Sequence, residues 1–406
     1  MSVTTGQKDH SQSLPAGPSQ EGPRSGLRPN AGRGRRRGHP WTAAATALLL
    51  PAALAVSLLF PAIASASTQN VAAGSSTGVC ARGGPGLWAN LGKCGWPGPT
   101  NTGPQLSHCP HHQLAPMGGG LSRPIVIRTS GAVISCRSIT GMVFIEARNV
   151  MVKNSTIISN SGRTGLAANG TADITVMDGA SATIDHVAIN GDNGVHACIW
   201  HQGTRMLVNA VNCYGVNDGI WSWADNGYSS TTGDNFTIRD SYFHNFTHLT
   251  SNGHEDGYQT EGASNGLIEH NTYLLTANAD SDVAIWDSLR SAHNITVADN
   301  LMTGGSFAIY AEDYSPSATS PGGGYSVTGI RFVNNVFSTY ASGCVGLYGV
   351  WFTRPSWPGQ GGPTDGWHRS GNRVLETRPE HRQPQPDQER GPVPVSRLGR
   401  RLTAPA

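Results

Sequence analysis

A six-residue phrase recurs along the middle of this 406-residue chain: an apolar residue, any residue, a polar pair or near-pair, any residue, then an apolar one. The copies are VKNSTI from Val152, IDHVAI from Ile184, VNAVNC from Val208, IRDSYF from Ile238, IEHNTY from Ile268, VADNLM from Val297 and FVNNVF from Phe332. Successive starts lie 32, 24, 30, 30, 29 and 35 residues apart. Repeats at such a period specify a stacked architecture, in which each unit buries its apolar side against its neighbours. The phrase is too short for a helix and is bounded by Gly, Asn and Asp, so it reads as a strand. Its fourth position is Ser155, Val187, Val211, Ser241, Asn271, Asn300 and Asn335. Asn and Ser stacked at one corner of the coil are expected to hydrogen-bond along the stack.

A second strand follows each phrase. The stretches are HACIWH (196–201), DGIWSW (218–223), DGYQTE (256–261), DVAIWD (282–287), FAIYAE (307–312) and VGLYGV (345–350). Two or three strands per coil of 24–35 residues, without helices between them, predict an all-β, right-handed parallel β-helix. A propeller blade needs about 40 residues and four antiparallel strands. The 52 glycines fit a chain of short strands and tight turns.

The ends of the chain differ from the middle. Arg33, Arg35, Arg36 and Arg37 precede an apolar stretch that ends in Ala64-Ser65-Ala66. Residues 1–66 therefore read as a disordered leader plus a secretory signal cut after Ala66, with an uncleaved membrane anchor as the alternative. Residues 67–145 read as a Cys-bearing N-terminal cap with the first coils, and 146–377 as the β-helix. The Arg/Pro/Gln-rich 378–406 reads as a disordered tail, or as the product of a frameshift. Residues 67–377 hold 15 basic and 21 acidic residues, which argues against nucleic acid or an anionic membrane as partner. A secreted monomer is expected.

All seven cysteines follow the cut, where an oxidising compartment favours pairing. Cys80–Cys94 and Cys198–Cys213 are the expected local pairs, although sequence does not fix connectivity, and the odd count leaves one thiol over. The SHCPHH stretch (107–112) lacks a second ligand pair at zinc-like spacing, so it carries no metal assignment.

The repeats, with NDGIWSW, GHEDGYQTEGASNG and AIYAEDYSP, resemble the pectate-lyase-like superfamily of right-handed parallel β-helix proteins. They look like secreted actinobacterial β-helix repeat proteins, which as a group lack an assigned activity. The resemblance covers about residues 75–377. It implies an extracellular polysaccharide as partner, while a repeat says more about fold than about function.

Neighbouring coils stack about 4.8 Å apart. Aligning the second strands by their ends puts His201, Trp223, Glu261 and Asp287 in one outer column, with Gln259 on the same face. The other parity (Trp200, Ile220, Tyr258, Ala284, Trp286, Ala308, Tyr310) reads as core. Ile199 and Ile285 on the polar parity leave the inverse open. Glu261 and Asp287 are then expected about 5–8 Å apart, with Glu312 and Asp313 one coil on. Asp218, Asp256 and Asp282 form a second acidic column.

Three uses fit such a face. A lyase would bind Ca²⁺ through Asp256, Glu312 and Asp313 and take a proton with Arg290, the basic group that the resemblance suggests. A glycoside hydrolase would use Glu261 and Asp287 as its carboxylate pair, tuned by His254 or His201, with Trp221, Trp223 and Gln259 holding sugar. A surface protein would bind glycan without turnover. Each feature also has a structural reading: Asp-Gly as turn chemistry, Trp and Tyr as core stack, Arg290 as a salt-bridge partner.

Overall fold

The computed structural model describes residues 78–80, 83–118, 124–159, 172–222, 233–248, 253–313, 324–352 and 362–376. The leader, the signal segment, the tail and Trp223 lie outside these residues. The described chain is a right-handed parallel β-helix whose every coil crosses three sheets. The first sheet runs from Val133–Ser135 to His368–Ser370, and the second from Ala115–Gly118 to Arg373–Val374. The third runs from Ile125–Ile127 through Tyr258–Glu261, Val283–Trp286 and Phe307–Glu312 to Gly349–Trp351. All strand pairs in these sheets are parallel.

The recurring phrase forms a strand, a corner and a second strand. Its third residue adopts left-handed backbone geometry in every copy, as at Asp240 (φ 52°), His270 (50°) and Asp299 (54°). Asn, Asp and His tolerate that region better than other non-glycine residues. The reversal splits each phrase between the first and second sheets. Positions one and six both point inward, and residues such as Ile238, Phe243, Ile268 and Tyr273 are fully buried. Each such side chain contributes about 1.5–3 kcal/mol of burial free energy.

The corner itself holds the expected polar ladder. Asn271 Nδ2 donates to Asn300 Oδ1 at 3.0 Å, Asn300 Nδ2 to Asn335 Oδ1 at 3.0 Å, and Asn335 Nδ2 to Asn372 Oδ1 at 3.0 Å. Backbone N–H groups join it, with Ser241 N donating to Asn271 Oδ1 at 3.0 Å.

Disulfides link Cys80–Cys94, Cys109–Cys136 and Cys198–Cys213, and Cys344 is a free thiol. Three disulfides fit an oxidising compartment. No helix among the described residues is long and apolar enough to cross a membrane. The segment ahead of the coils runs along the outer side of the second sheet. Leu87, Trp88 and Leu91 pack there on Tyr242, Leu301 and Val336, and Gln105 Nε2 meets His186 Nε2 at 2.6 Å.

Candidate functional site

The register of the third sheet decides which side chains face out. Ile199, Ile220, Tyr258, Val283, Ile309 and Trp351 form one inward column. One residue further on, Trp200, Trp221, Gln259, Ala284 and Tyr310 form an outward column, and Phe352 stacks on Tyr310 with ring centroids 4.8 Å apart. Two residues beyond that column, Glu261, Trp286 and Glu312 form a second outward column.

This corrects the alignment read from sequence. HACIWH and DVAIWD each sit one residue out of step with DGYQTE, so Trp286, not Asp287, stands beside Glu261. A one-residue slip exchanges the two faces of a strand. Trp200, Ala284, Trp286 and Tyr310 therefore face outward, while Ile199 and Ile285 point inward. Ile220, Tyr258 and Ala308 do lie in the core. His201 falls on the inner column with Ser222, Thr260, Ile285 and Ala311. Its ring is fully buried, with Nε2 3.2 Å from the Asp234 carbonyl, and burial lowers its pKa to about 4. It is a neutral core histidine that cannot reach a substrate.

The second acidic column is also different from the sequence reading. Asp218 and Asp256 are neighbours, and Asp256 N donates to Asp218 Oδ1 at 2.8 Å. The next coil places Ser281 there, and its hydroxyl donates to Asp256 Oδ1. Asp282 instead lies opposite Gly257 and is fully buried beside Tyr273. Burial raises its pKa well above its ordinary value. Burial, then the charges of Asp218 and Asp280, likewise raises Asp256. His196 Nε2 lies 2.8 Å from Asp218 Oδ2, and its ring lies 4.7 Å from that of Trp221. Trp221 is nearly buried and stacks on Trp200 at 5.5 Å.

His254 faces solvent at the centre of this surface. Its ring meets Trp286 edge-on at 5.5 Å, and its Nδ1 lies 3.9 Å from Asp256 Oδ2, beyond direct hydrogen-bond distance. Glu261 is held from two sides: Ser288 Oγ donates to Oε2 at 2.6 Å and Gln259 Nε2 to Oε1 at 3.3 Å. Burial raises its pKa. Glu312 is pushed up to about 7 by burial and by the charges of Asp287 and Asp313. Asp287 is fully buried, and Asp313 accepts from Thr364 Oγ1 at 2.6 Å.

Arg290 is committed elsewhere. Its guanidinium pairs with Asp234, and its Nε donates to the Gly262 carbonyl at 2.8 Å. This is the salt-bridge reading of that residue. Asp256 does not converge with Glu312 and Asp313 into a ligand set. Among the described residues no group of three or more His, Cys, Asp or Glu side chains is gathered to hold a metal ion. These residues do not fit the expected calcium site.

Sequence reasoning passed over His196, Asp280, Trp286 and Tyr310 as site residues. The signal for the two aromatics was Ile285 and Ile309 beside them, which occupy the inner parity. A concavity of about 650 Å³ lined by Phe246, Thr247, His248, Glu255, Thr276 and Asn278 opens beside the acidic group. His248 Nδ1 meets Glu255 Oε1 there at 2.9 Å.

No family model matches the chain, and no curated protein matches it. Among solved structures it is similar to a pectate lyase from Bacillus sp. N165 in complex with trigalacturonate. The likeness has a TM-score of 0.32 and 12% identity over 55% of this chain and 71% of that one.

Proposed function

We propose that the outer face of the third sheet acts on an extracellular polysaccharide by glycoside hydrolysis. The observation that carries this is the single column of Glu261, Trp286 and Glu312. The carboxylates are two coil steps apart, about 9–10 Å between backbones. That is compatible with the roughly 6.5–9.5 Å carboxyl spacing of inverting hydrolases, which leaves room for a water. Glu312, with its pKa about 7, is the general acid that protonates the departing glycosidic oxygen. Glu261, oriented by Ser288 and Gln259, is the base that activates water. Trp286 offers the sugar an apolar platform between them.

Elimination is the weaker reading. It asks for a free base and a cation to neutralise a uronate, and Arg290 is held by Asp234 and Gly262. No step here is assigned to calcium, so EDTA should leave turnover unchanged. The test is incubation of the purified protein with a panel of polysaccharides, read by product mass. Products that gained water support hydrolysis, and unsaturated ends overturn it in favour of elimination. Retention without products leaves the face as a glycan-binding surface.

A further inference from the structure

We infer that the segment ahead of the coils is a strap latched by a doubly protonated His270, and that its middle opens locally when the proton is lost. The inference stands apart from the site proposed above. Residues 84–113 follow one column of the second sheet, formed by Ala188, Asn212, Tyr242, Thr272, Leu301 and Val336. The column crosses six coils, about 24 Å along the axis. The strap runs against the order of the coils. Trp88 Nε1 donates to Ser338 Oγ at 3.3 Å and its ring stacks on Tyr340 at 5.3 Å, whereas Gly103 N donates to the Ala210 carbonyl at 2.8 Å. Beyond Gly103, the Cys109–Cys136 disulfide fixes the strap covalently. Between these two ends Gly95 and Trp96 meet His270.

Both ring nitrogens of His270 face acceptors. Nδ1 lies 2.6 Å from Asp240 Oδ1, and Nε2 lies 2.8 Å from the Gly95 carbonyl oxygen. A neutral imidazole carries one N–H and can make only one of these bonds, whereas the imidazolium makes both. Trp96 stacks on the ring with centroids 5.6 Å apart, which also favours the cation. Asp240, His270 and Asp299 hold the same left-handed corner of three successive coils, so an acid flanks the ring on either side. Glu269 precedes it on its own strand, and Arg239 competes for Asp240 from 3.9 Å. On the strap, residues 84–113 hold no acid, and their one Lys or Arg, Lys93, is exposed.

The hydrogen bond to Asp240 raises the pKa of His270 above its ordinary 6.5. Burial opposes this, and the Gly95 carbonyl and the charges of Asp240 and Asp299 add to it. The latch is therefore complete below pH 6.5 and is lost as pH rises through the folded value. The neutral ring keeps its N–H on the carboxylate, the stronger acceptor. That leaves the Nε2 lone pair against the Gly95 oxygen, so the bond to the strap is the one that breaks. The disulfide and the Trp88 contacts confine the opening to the stretch between them.

The test follows the full protein by NMR. The His270 ring should titrate above 6.5, and Asp240→Asn should move its midpoint down. Amide exchange, corrected for intrinsic rates, should show Trp96 and Gly103 opening roughly three- to tenfold more at pH 8.5 than at pH 6. The Ser241 amide, in the corner ladder, is the reference and should not change. His270→Gln keeps a neutral donor and should abolish the pH difference at Trp96 and Gly103. If that variant does not fold, Asp240→Asn decides alone, because strap opening must move to lower pH together with the ring. A ring midpoint at or below 6.5 overturns the inference. So does strap opening that ignores pH, that keeps its pH dependence in His270→Gln, that stays at the native pH in Asp240→Asn, or that is matched at Ser241.

Discussion

Glu261 and Glu312 stand in one outward column of the third sheet, separated by the coil that carries Trp286. Their surroundings differ. Glu261 is fixed by hydrogen bonds from Ser288 and Gln259, while Glu312 is crowded by Asp287 and Asp313. A carboxylate fixed by donated hydrogen bonds suits a base, and a carboxyl crowded by like charge suits an acid. Glu261→Gln and Glu312→Gln should each lower kcat about 10²–10⁴-fold with little change in melting temperature at pH 6. In the native protein, kcat should fall as pH rises through about 7, where Glu312 gives up its proton. That limb should be missing from the residual activity of Glu312→Gln. A rate profile that keeps the limb in the variant removes Glu312 as the acid.

The same carboxyl makes a prediction for stability. Its pKa rises from 4.5 in the open chain to about 7 in the fold, mainly through burial. The folded state therefore holds the proton more tightly. The favourable contribution is present below pH 4.5 and is lost as pH rises through 7. Glu312→Gln removes the ionised form, so it should melt about 1–3 °C above the native protein at pH 8 and close to it at pH 5. Thermal melts of both proteins at the two pH values measure this. A variant that melts lower at pH 8 would show that ionised Glu312 is stabilised, contrary to its crowding.

Arg290 should behave as a structural residue. Its guanidinium ties Asp234 and the Gly262 carbonyl, and Asp234 also accepts the Ser264 N–H at 2.7 Å. Arg290→Ala strands a nearly buried carboxylate and should cost about 2–4 kcal/mol of unfolding free energy. Arg290→Lys should recover part of that loss and retain turnover within a few-fold. Urea unfolding and initial rates of both variants separate the two roles. A Lys variant of native stability without turnover would falsify the structural assignment and restore Arg290 as a base.

The fold was legible because the repeated phrase states it twice, in its spacing and in its polar corner. Asn271, Asn300 and Asn335 sit where a coil corner needs side chains that bond up and down the stack. The phrase did not disclose that it contains a turn. A left-handed residue such as Asp240 or His270 looks in sequence like any polar strand position. The site was read less well for a related reason. Matching Asp256 with Asp282 and Glu261 with Asp287 aligned the acids, whereas the fold aligns apolar residues. Tyr258 lies beside Val283, which turns Trp286 outward, while Asp282, just ahead of that strand and opposite Gly257, is buried beside Tyr273. A buried aspartate whose carboxyl accepts no hydrogen bond has no sequence signature, and aligning it with Asp256 shifted the reading by one residue.

His201 predicts the response to acid. Burial depresses its pKa from 6.5 to about 4, so the unfolded chain binds a proton more readily than the fold does. Stability should hold above pH 6.5 and fall as pH drops toward 4. The contribution of this residue is up to about 3 kcal/mol. His244, whose pKa burial also lowers to about 4, adds to the same slope. His201→Gln keeps a neutral donor for the Asp234 carbonyl and should flatten the slope between pH 6.5 and 4. Urea unfolding across that window tests it. An unchanged slope assigns the acid sensitivity to other groups.

The corner ladder should show graded dependence on side-chain chemistry. Asn300 Oδ1 accepts from the backbone N and the Nδ2 of Asn271, at 2.9 and 3.0 Å. Its Nδ2 donates to the Ile268 carbonyl at 2.9 Å and to Asn335 Oδ1. Asn300→Ala leaves a buried N–H and a buried carbonyl without partners, which should cost about 2–5 kcal/mol. Asn300→Ser should cost about half as much, because Ser241 already fills one rung in this way. Its hydroxyl accepts from Val211 N at 3.1 Å and donates to the Arg239 carbonyl at 2.7 Å. Denaturant titration of the two variants gives the order directly. Equal losses in both would mean that the volume of the corner side chain, and not its hydrogen bonding, holds neighbouring coils in register.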